Sequence, residues 1–176
     1  MNLHLGCGDK ILPDYVNCDL YPCSDEVVRC DIKKLPFDDD SVDVIYACHV
    51  LEHIFRREVS VTLKEWNRVL KKGGKLYVAV PDFESVVKHY NKYSNIDEIQ
   101  GLLNGGQTYD GNEHYVSFDF NYMKRALMES GFNNIQKYDW KETEYADFDD
   151  FSKAYLPHMD FENGILMSLN VLAYKI

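Results

Sequence analysis

A strand-like run that breaks onto a glycine turn and returns to an acid sets the terms for the whole chain. The stretch covers residues 3–19 and reads LHLGCGDKILPDYVNCD. Residues of strand character run straight into Gly6-Cys7-Gly8, and a second short apolar run, 15–18, ends on Asp19. A glycine turn at the end of a strand lets a ligand reach the main chain without meeting a Cβ, and an acid ending the next parallel strand can accept both hydroxyls of a ribose. By itself such a turn is also an ordinary tight connection, so the rest of the chain has to decide.

The segments that follow alternate strand and helix signals, which predicts a parallel sheet covered by helices on both faces. Strands are expected at 2–5, 15–19, 26–30, 42–47, 75–80, 135–140 and 166–174, with the apolar run 42–47 as a central strand. The link 6–14 contains Pro13 and is shorter than the roughly dozen residues of a crossover helix, so the first helix is expected to shrink to a turn. A helix is predicted over about 57–70, with Val61, Leu63, Trp66, Val69 and Leu70 on its apolar side and Lys71-Lys72-Gly73-Gly74 as its stop. Asp82 caps a second helix running to about Tyr93, and a third spans 119–130 before Gly131. The loop 94–115 and the acidic, aromatic segment 142–161 lack periodicity, and the first is long enough to suggest substrate contact. With no repeat and no linker, residues 1–176 read as a single domain.

Composition excludes several classes. A chain of 176 residues that is 45% hydrophobic can bury a substantial core. Its net charge of -10 argues against a partner held mainly through phosphates, whether nucleic acid or an anionic membrane. Five cysteines without a close C-x-x-C pair suit reduced thiols in a cytoplasm. Cys18, Cys23 and Cys30 lack the knuckle spacing of a zinc site, so no metal is expected. No leader-like segment and no run of membrane-spanning length is evident, and a cytoplasmic protein is expected.

The ordered set LHLGCG, Asp19, CDIKKLPFDDDSVDVIYACHVLEH and EWNRVLKKGGKLYVAVPD resembles the class I S-adenosylmethionine-dependent methyltransferases, especially the short bacterial-type group often linked to surface polysaccharide genes. The likeness runs from Leu3 to about Asp82 and continues more weakly through GGQTYDGNEHYVSFD. It implies a Rossmann-like α/β fold with a seven-stranded, mostly parallel sheet. Residues 1–82 would be the cofactor half and 83–176 the cap and closing strands.

The same resemblance implies the cofactor, S-adenosylmethionine, and its positions. Gly6, Cys7 and Gly8 would pass under the methionine portion and ribose. Asp19, with Leu20 beside it, would take the ribose hydroxyls. Asp31 would accept from the adenine amino group while the backbone of Ile32 meets the ring, with Leu35 or Phe37 covering a face. Cys48 and His49 would sit beside the methionine amine or the sulfonium. Each has a plain structural reading too: Asp31 as a turn acid, Cys48 as a small buried filler. Two departures stand out. His4 occupies the first strand where many relatives carry an acid, and no third glycine follows Gly8. The helices that precede the first strand in larger relatives are missing, so the loops 94–115 and 142–161, or a partner subunit, would have to cap the pocket.

Methyl transfer from a sulfonium asks the protein chiefly to align an acceptor and, for a hydroxyl, to take its proton. His114 is the first choice of base, with His49 and His53 as alternatives, while Glu52 reads as structural or solvent-facing. The expected function is methylation of a small-molecule or saccharide acceptor, with a homodimer as the possible assembly. The alternative is a cofactor-binding regulatory or scaffold subunit without activity of its own. A nicotinamide-dependent oxidoreductase fits poorly, because Ile11 stands where G-x-G-x-x-G needs glycine.

Overall fold

In the computed structural model, which describes residues 1–176, β1 (Asn2–Leu5) lies between β2 (Val16–Asp19) and β4 (Val42–Cys48), and β3 (Val27–Arg29) lies outside β2. Beyond β4 come β5 (Leu70–Pro81), β9 (Ser168–Lys175) and, at the edge, β6 (Phe132–Lys137). The order is 3-2-1-4-5-9-6, parallel throughout except that β9 runs antiparallel to both its neighbours. The chain steps outward from β1 to β3 and then returns to the other side of β1. A crevice therefore opens beyond the carboxyl ends of β1 and β4, where sheets of this kind take ligands.

Register divides the sheet into two chemically different faces. Leu3 pairs with Ile45, Ile45 with Leu76, and Leu76 with Ala173; two residues on, Leu5, Ala47, Val78 and Val171 form the next row. All eight are buried in the main core of 28 residues. Onto this face pack α1 (Val59–Val69) and α4 (Phe120–Glu129). In α1 the buried residues Val59, Thr62, Leu63, Trp66 and Val69 recur at helical spacing, and the Trp66 indole N–H donates to the Ile32 carbonyl at 2.9 Å. Asp119 caps α4, accepting from the Tyr122 N–H at 2.7 Å.

The row between, His4, Tyr46, Tyr77 and Leu172, faces the other way, with Asn17 beside His4. Helices were expected on both faces, but no helix follows β1, β2 or β3. The links 6–15 and 20–26 are too short for one. Instead the irregular segment 139–153 lays Tyr145 and Phe148 against Tyr46, with ring centroids 4.2 and 6.4 Å away. The Tyr46 hydroxyl donates to Asp150 at 2.5 Å, and the hydroxyls of Tyr15 and Tyr145 are hydrogen-bonded. Asn17 makes the helix-free link possible. Its amide donates to the Leu12 and Tyr15 carbonyls, and its oxygen accepts from the Leu12 N–H, which satisfies backbone groups that a helix would otherwise have paired.

Two boundaries move. β5 starts at Leu70, the last residue of the expected helix and well before the expected strand start at 75, because Leu70 is fully buried and pairs with Val42. β6 starts at Phe132, three residues before the expected 135, because Phe132 is buried against the core directly after Gly131. At the carboxyl edge, α2 (Phe83–Tyr93) is capped by Asp82, which accepts from the Glu84 N–H at 3.1 Å. The loop 94–115 carries the short α3 (Gln100–Asn104). Val86, Ile99 and Met167 form a small core beside the hairpin of β7 (Tyr155–Leu156) and β8 (Ile165–Leu166). No helix is long and apolar enough to cross a membrane.

Candidate cofactor crevice and buried histidine cluster

Because Leu5 pairs with both Cys18 and Ala47, Gly6, Asp19 and Cys48 come level at the carboxyl edge. The turn is tied to β2: the N–H groups of Gly6 and Cys7 donate to the Cys18 carbonyl at 2.8 and 3.1 Å. Gly6 has φ +65°, and a Cβ there would sit 2.2 Å from Val50 Cγ2, so only glycine fits. Gly8, with φ +55°, is exposed and a Cβ there would meet nothing within 4 Å, leaving its main chain approachable. The Cys7 thiol is buried, and burial followed by the nearby Asp19 pushes it up to about 12, so it packs rather than reacts.

Asp19 joins the turn to the following loop, its Oδ2 accepting from the Gly8 N–H and its Oδ1 from the Tyr21 N–H, each at 2.9 Å. Both oxygens retain a lone pair for a vicinal diol. Leu20 beside it is exposed. Asp31 accepts from the Lys33 N–H at 2.9 Å at the start of a turn. Ile32 points into the core and its carbonyl is taken by Trp66, while Leu35 is buried and Phe37 partly so. An open main chain at Gly8 and acids closing β2 and following β3 are what an adenosyl group with a methionine tail requires. The residues fit S-adenosylmethionine.

At the end of β4 the chain turns sharply, His49 having φ +51° and its N–H donating to the Ala79 carbonyl at 2.8 Å. One turn later comes Glu52, expected to be structural or solvent-facing; it is only 1% exposed, and neither carboxylate oxygen has a hydrogen-bond partner. His49 Nδ1 lies 3.4 Å and His114 Nε2 3.9 Å from Glu52 Oε1. The rings of His53 and His114 meet edge to face with centroids 4.8 Å apart. The loop 94–115 delivers His114: its N–H donates to the Asn104 carbonyl at 3.1 Å, and the next N–H, of Tyr115, donates to the Glu52 carbonyl at 2.8 Å. Burial lowers all three imidazoles, His49 to about 3, and raises Glu52 to about 8.

The structure thus brings together two groups that the sequence treated as one pocket: Gly6, Gly8 and Asp19 on one side, and His49, His53 and His114 around Glu52 on the other. Sequence reading missed Glu52, although His49, Glu52 and His53 fall at positions i, i+3 and i+4. It also missed Ser168 and Asn170, which hold His49 from β9. Of the two expected caps, 142–161 covers this end, with Phe151 5.4 Å from the His49 ring and Lys10 paired to Asp149 at 3.0 Å. His4 is not a pocket residue. It is 2% exposed and donates from Nδ1 to Asn17 at 3.0 Å. A groove of about 630 Å³ between the amino ends of α2 and α4 touches neither group.

A family model described as hypothetical methyltransferase matches residues 3–130. Ribosomal RNA-processing protein 8 of Dictyostelium discoideum is 27% identical over 128 residues, 69% of this chain and 31% of that protein. Sterol 4-C-methyltransferase strm-1 of Caenorhabditis elegans is 42% identical over 82 residues, 44% of this chain and 24% of that protein. The chain spans about a third or less of the length of these curated relatives. Among solved structures, a possible histamine N-methyltransferase from Thermotoga maritima superposes with a TM-score of 0.61 at 17% identity, over 99% of this chain and 82% of that one. The complex of a Haloferax volcanii putative methyltransferase with the Trm112 methyltransferase activator gives 0.58 at 18% identity, over 99% and 81%. With the sheet order, the glycine turn and a family match over most of its length, the chain belongs to this family of class I, S-adenosylmethionine-dependent methyltransferases.

Proposed function

We propose that the protein methylates a hydroxyl oxygen on a small-molecule or saccharide acceptor. The observation that carries this reading is the set of imidazole nitrogens converging on Glu52 at the end of β4, where a parallel sheet presents its ligands. When bound, S-adenosylmethionine supplies a methyl group activated by a positively charged sulfur. Asp19 holds the ribose hydroxyls, its oxygens fixed by the amides of Gly8 and Tyr21, with Leu20 flanking, and Asp31 takes the adenine amino group beside the Ile32 backbone. Gly6, Cys7 and Gly8 line the methionine side, with Cys48 and His49 across from them.

The acceptor proton goes to the histidine cluster. His49, lowered to about 3, is a weak base, which leaves His114 Nε2 in the leading role. His114→Ala should leave cofactor binding intact and slow turnover by about a hundredfold or more, read as the gain of one methyl unit in product mass. Unchanged turnover would remove His114 from the mechanism.

The names of the relatives support a second reading, an RNA acceptor, with the Haloferax complex as a precedent for a partner protein. The charge of -10 weighs against it. One assay with labelled cofactor against saccharides, small hydroxyl compounds and ribosomal RNA separates the two by which fraction takes the label.

A further inference from the structure

The cluster around Glu52 holds more lone pairs than it has protons to share. His53 Nδ1 lies 3.0 Å from the Glu113 carbonyl and His114 Nδ1 3.0 Å from the Leu102 carbonyl. A carbonyl only accepts, so both Nδ1 atoms carry the proton and both Nε2 atoms carry a lone pair. The same logic fixes His49 through a relay. The Asn170 amide donates to the Ser152 carbonyl at 2.7 Å, which turns Asn170 Oδ1 towards Ser168. The Ser168 hydroxyl therefore donates to Asn170 at 2.8 Å and accepts from His49 Nε2 at 3.1 Å. His49 Nδ1 is left with its lone pair facing Glu52.

Two unprotonated nitrogens, His49 Nδ1 and His114 Nε2, and a carboxylate with no hydrogen-bond partner thus share one buried spot, with the His53 ring packed edge to face on that of His114. Lone pairs facing each other at 3.4 and 3.9 Å repel unless something positive lies between them. One proton on Glu52 would satisfy one oxygen and leave the rest opposed. Donor atoms bound to a small divalent ion at about 2.1 Å stand roughly 3.0 to 4.2 Å apart, a range that includes both imidazole contacts to Glu52 Oε1. One ligand atom from each of Glu52, His53 and His114 lies within 4.8 Å of the others, so small side-chain movements close the set. The two Nδ1–H to carbonyl bonds and the Ser168 contact are the outer bonds that orient metal-ligating histidines.

We propose that Glu52, His53 and His114 bind one divalent transition-metal ion, with His49 Nδ1 beside the Glu52 carboxylate. Imidazole and carboxylate together select ions such as zinc, cobalt or manganese over calcium. On the reading of this crevice as the methyl-transfer site, a bound ion would stand where it could meet the acceptor hydroxyl; the imidazoles would then be its ligands, and the acceptor proton that the ion-free cluster gives to His114 would instead be made acidic by the metal and lost to solvent.

The test strips the full chain with chelator and titrates it with Co²⁺ alone, following ligand-field absorption, and with Zn²⁺ alone by calorimetry. One ion per chain is expected, with imidazole-type cobalt bands, and affinity should fall more than tenfold in both Glu52→Gln and His114→Ala. Should Glu52→Gln fail to fold by circular dichroism, His53→Ala takes its place. No stoichiometric binding, or binding unchanged in the folded variants, overturns the proposal. The metal titration uses no cofactor, and S-adenosylmethionine binding is measured separately on the stripped protein. Loss of the second leaves the first standing, so the two readings fail independently.

Discussion

At position 4 the chain carries an imidazole in the middle of a buried strand, and the reason lies in the link that follows. His4 supports Asn17, which in turn supports Leu12 and Tyr15, so a residue that looked like a changed pocket contact is a brace for a connection without a helix. Burial lowers its pKa from the ordinary 6.5. As pH falls through that value the unfolded chain binds a proton that the folded one resists, so this contribution to stability is present above 6.5 and is lost below it. His4→Gln keeps a donor for Asn17 without the titration, and its melting temperature should fall less than that of the parent between neutral and mildly acid pH. Gly6→Ala forces both a left-handed residue and a clash with Val50, and should destabilise by about 1–3 kcal/mol or more in chemical denaturation. Gly6 and Asp19 were legible because turn and acid are local signals. Glu52 was not: a glutamate between Leu51 and His53 carries no mark of burial, which comes from the loop 94–115 folding back across it.

The helix α1 does two jobs, and the second is positional. Its Trp66 holds the Ile32 carbonyl, and Arg68 donates to Glu65, Asp39 and the carbonyls of Leu35 and Phe37, so the segment carrying Asp31 is fastened to the helix. Trp66→Ala should cost about 3–5 kcal/mol of stability, from a cavity in the main core. Arg68→Ala should act differently, weakening cofactor binding more than it lowers the melting temperature, as seen by comparing calorimetric affinity with thermal melts. Helices α1, α2 and α4 were readable from apolar spacing and caps within about two residues. The covering of the second face was not, because Tyr145, Phe148 and Asp150 find Tyr15 and Tyr46 across more than a hundred positions of sequence and leave no periodic trace.

Across the whole molecule, the reversal of strand order at β1 gathers the ends of β1, β2 and β4 into one crevice, and the segment after β6 covers the sheet face that carries Tyr46. The class of fold followed from the alternation of strand and helix signals. The acceptor does not follow from the fold, and relatives by sequence carry names tied to ribosomal RNA and to sterols. The central claim is that this crevice holds S-adenosylmethionine by its ribose at Asp19 and its adenine at Asp31. Isothermal calorimetry with the cofactor tests it directly. Saturable binding of one molecule per chain is predicted, weakened at least about tenfold in Asp19→Asn and in Asp31→Asn while both variants melt cooperatively. The absence of binding heat in the intact protein, or affinity unchanged in both variants, would contradict it.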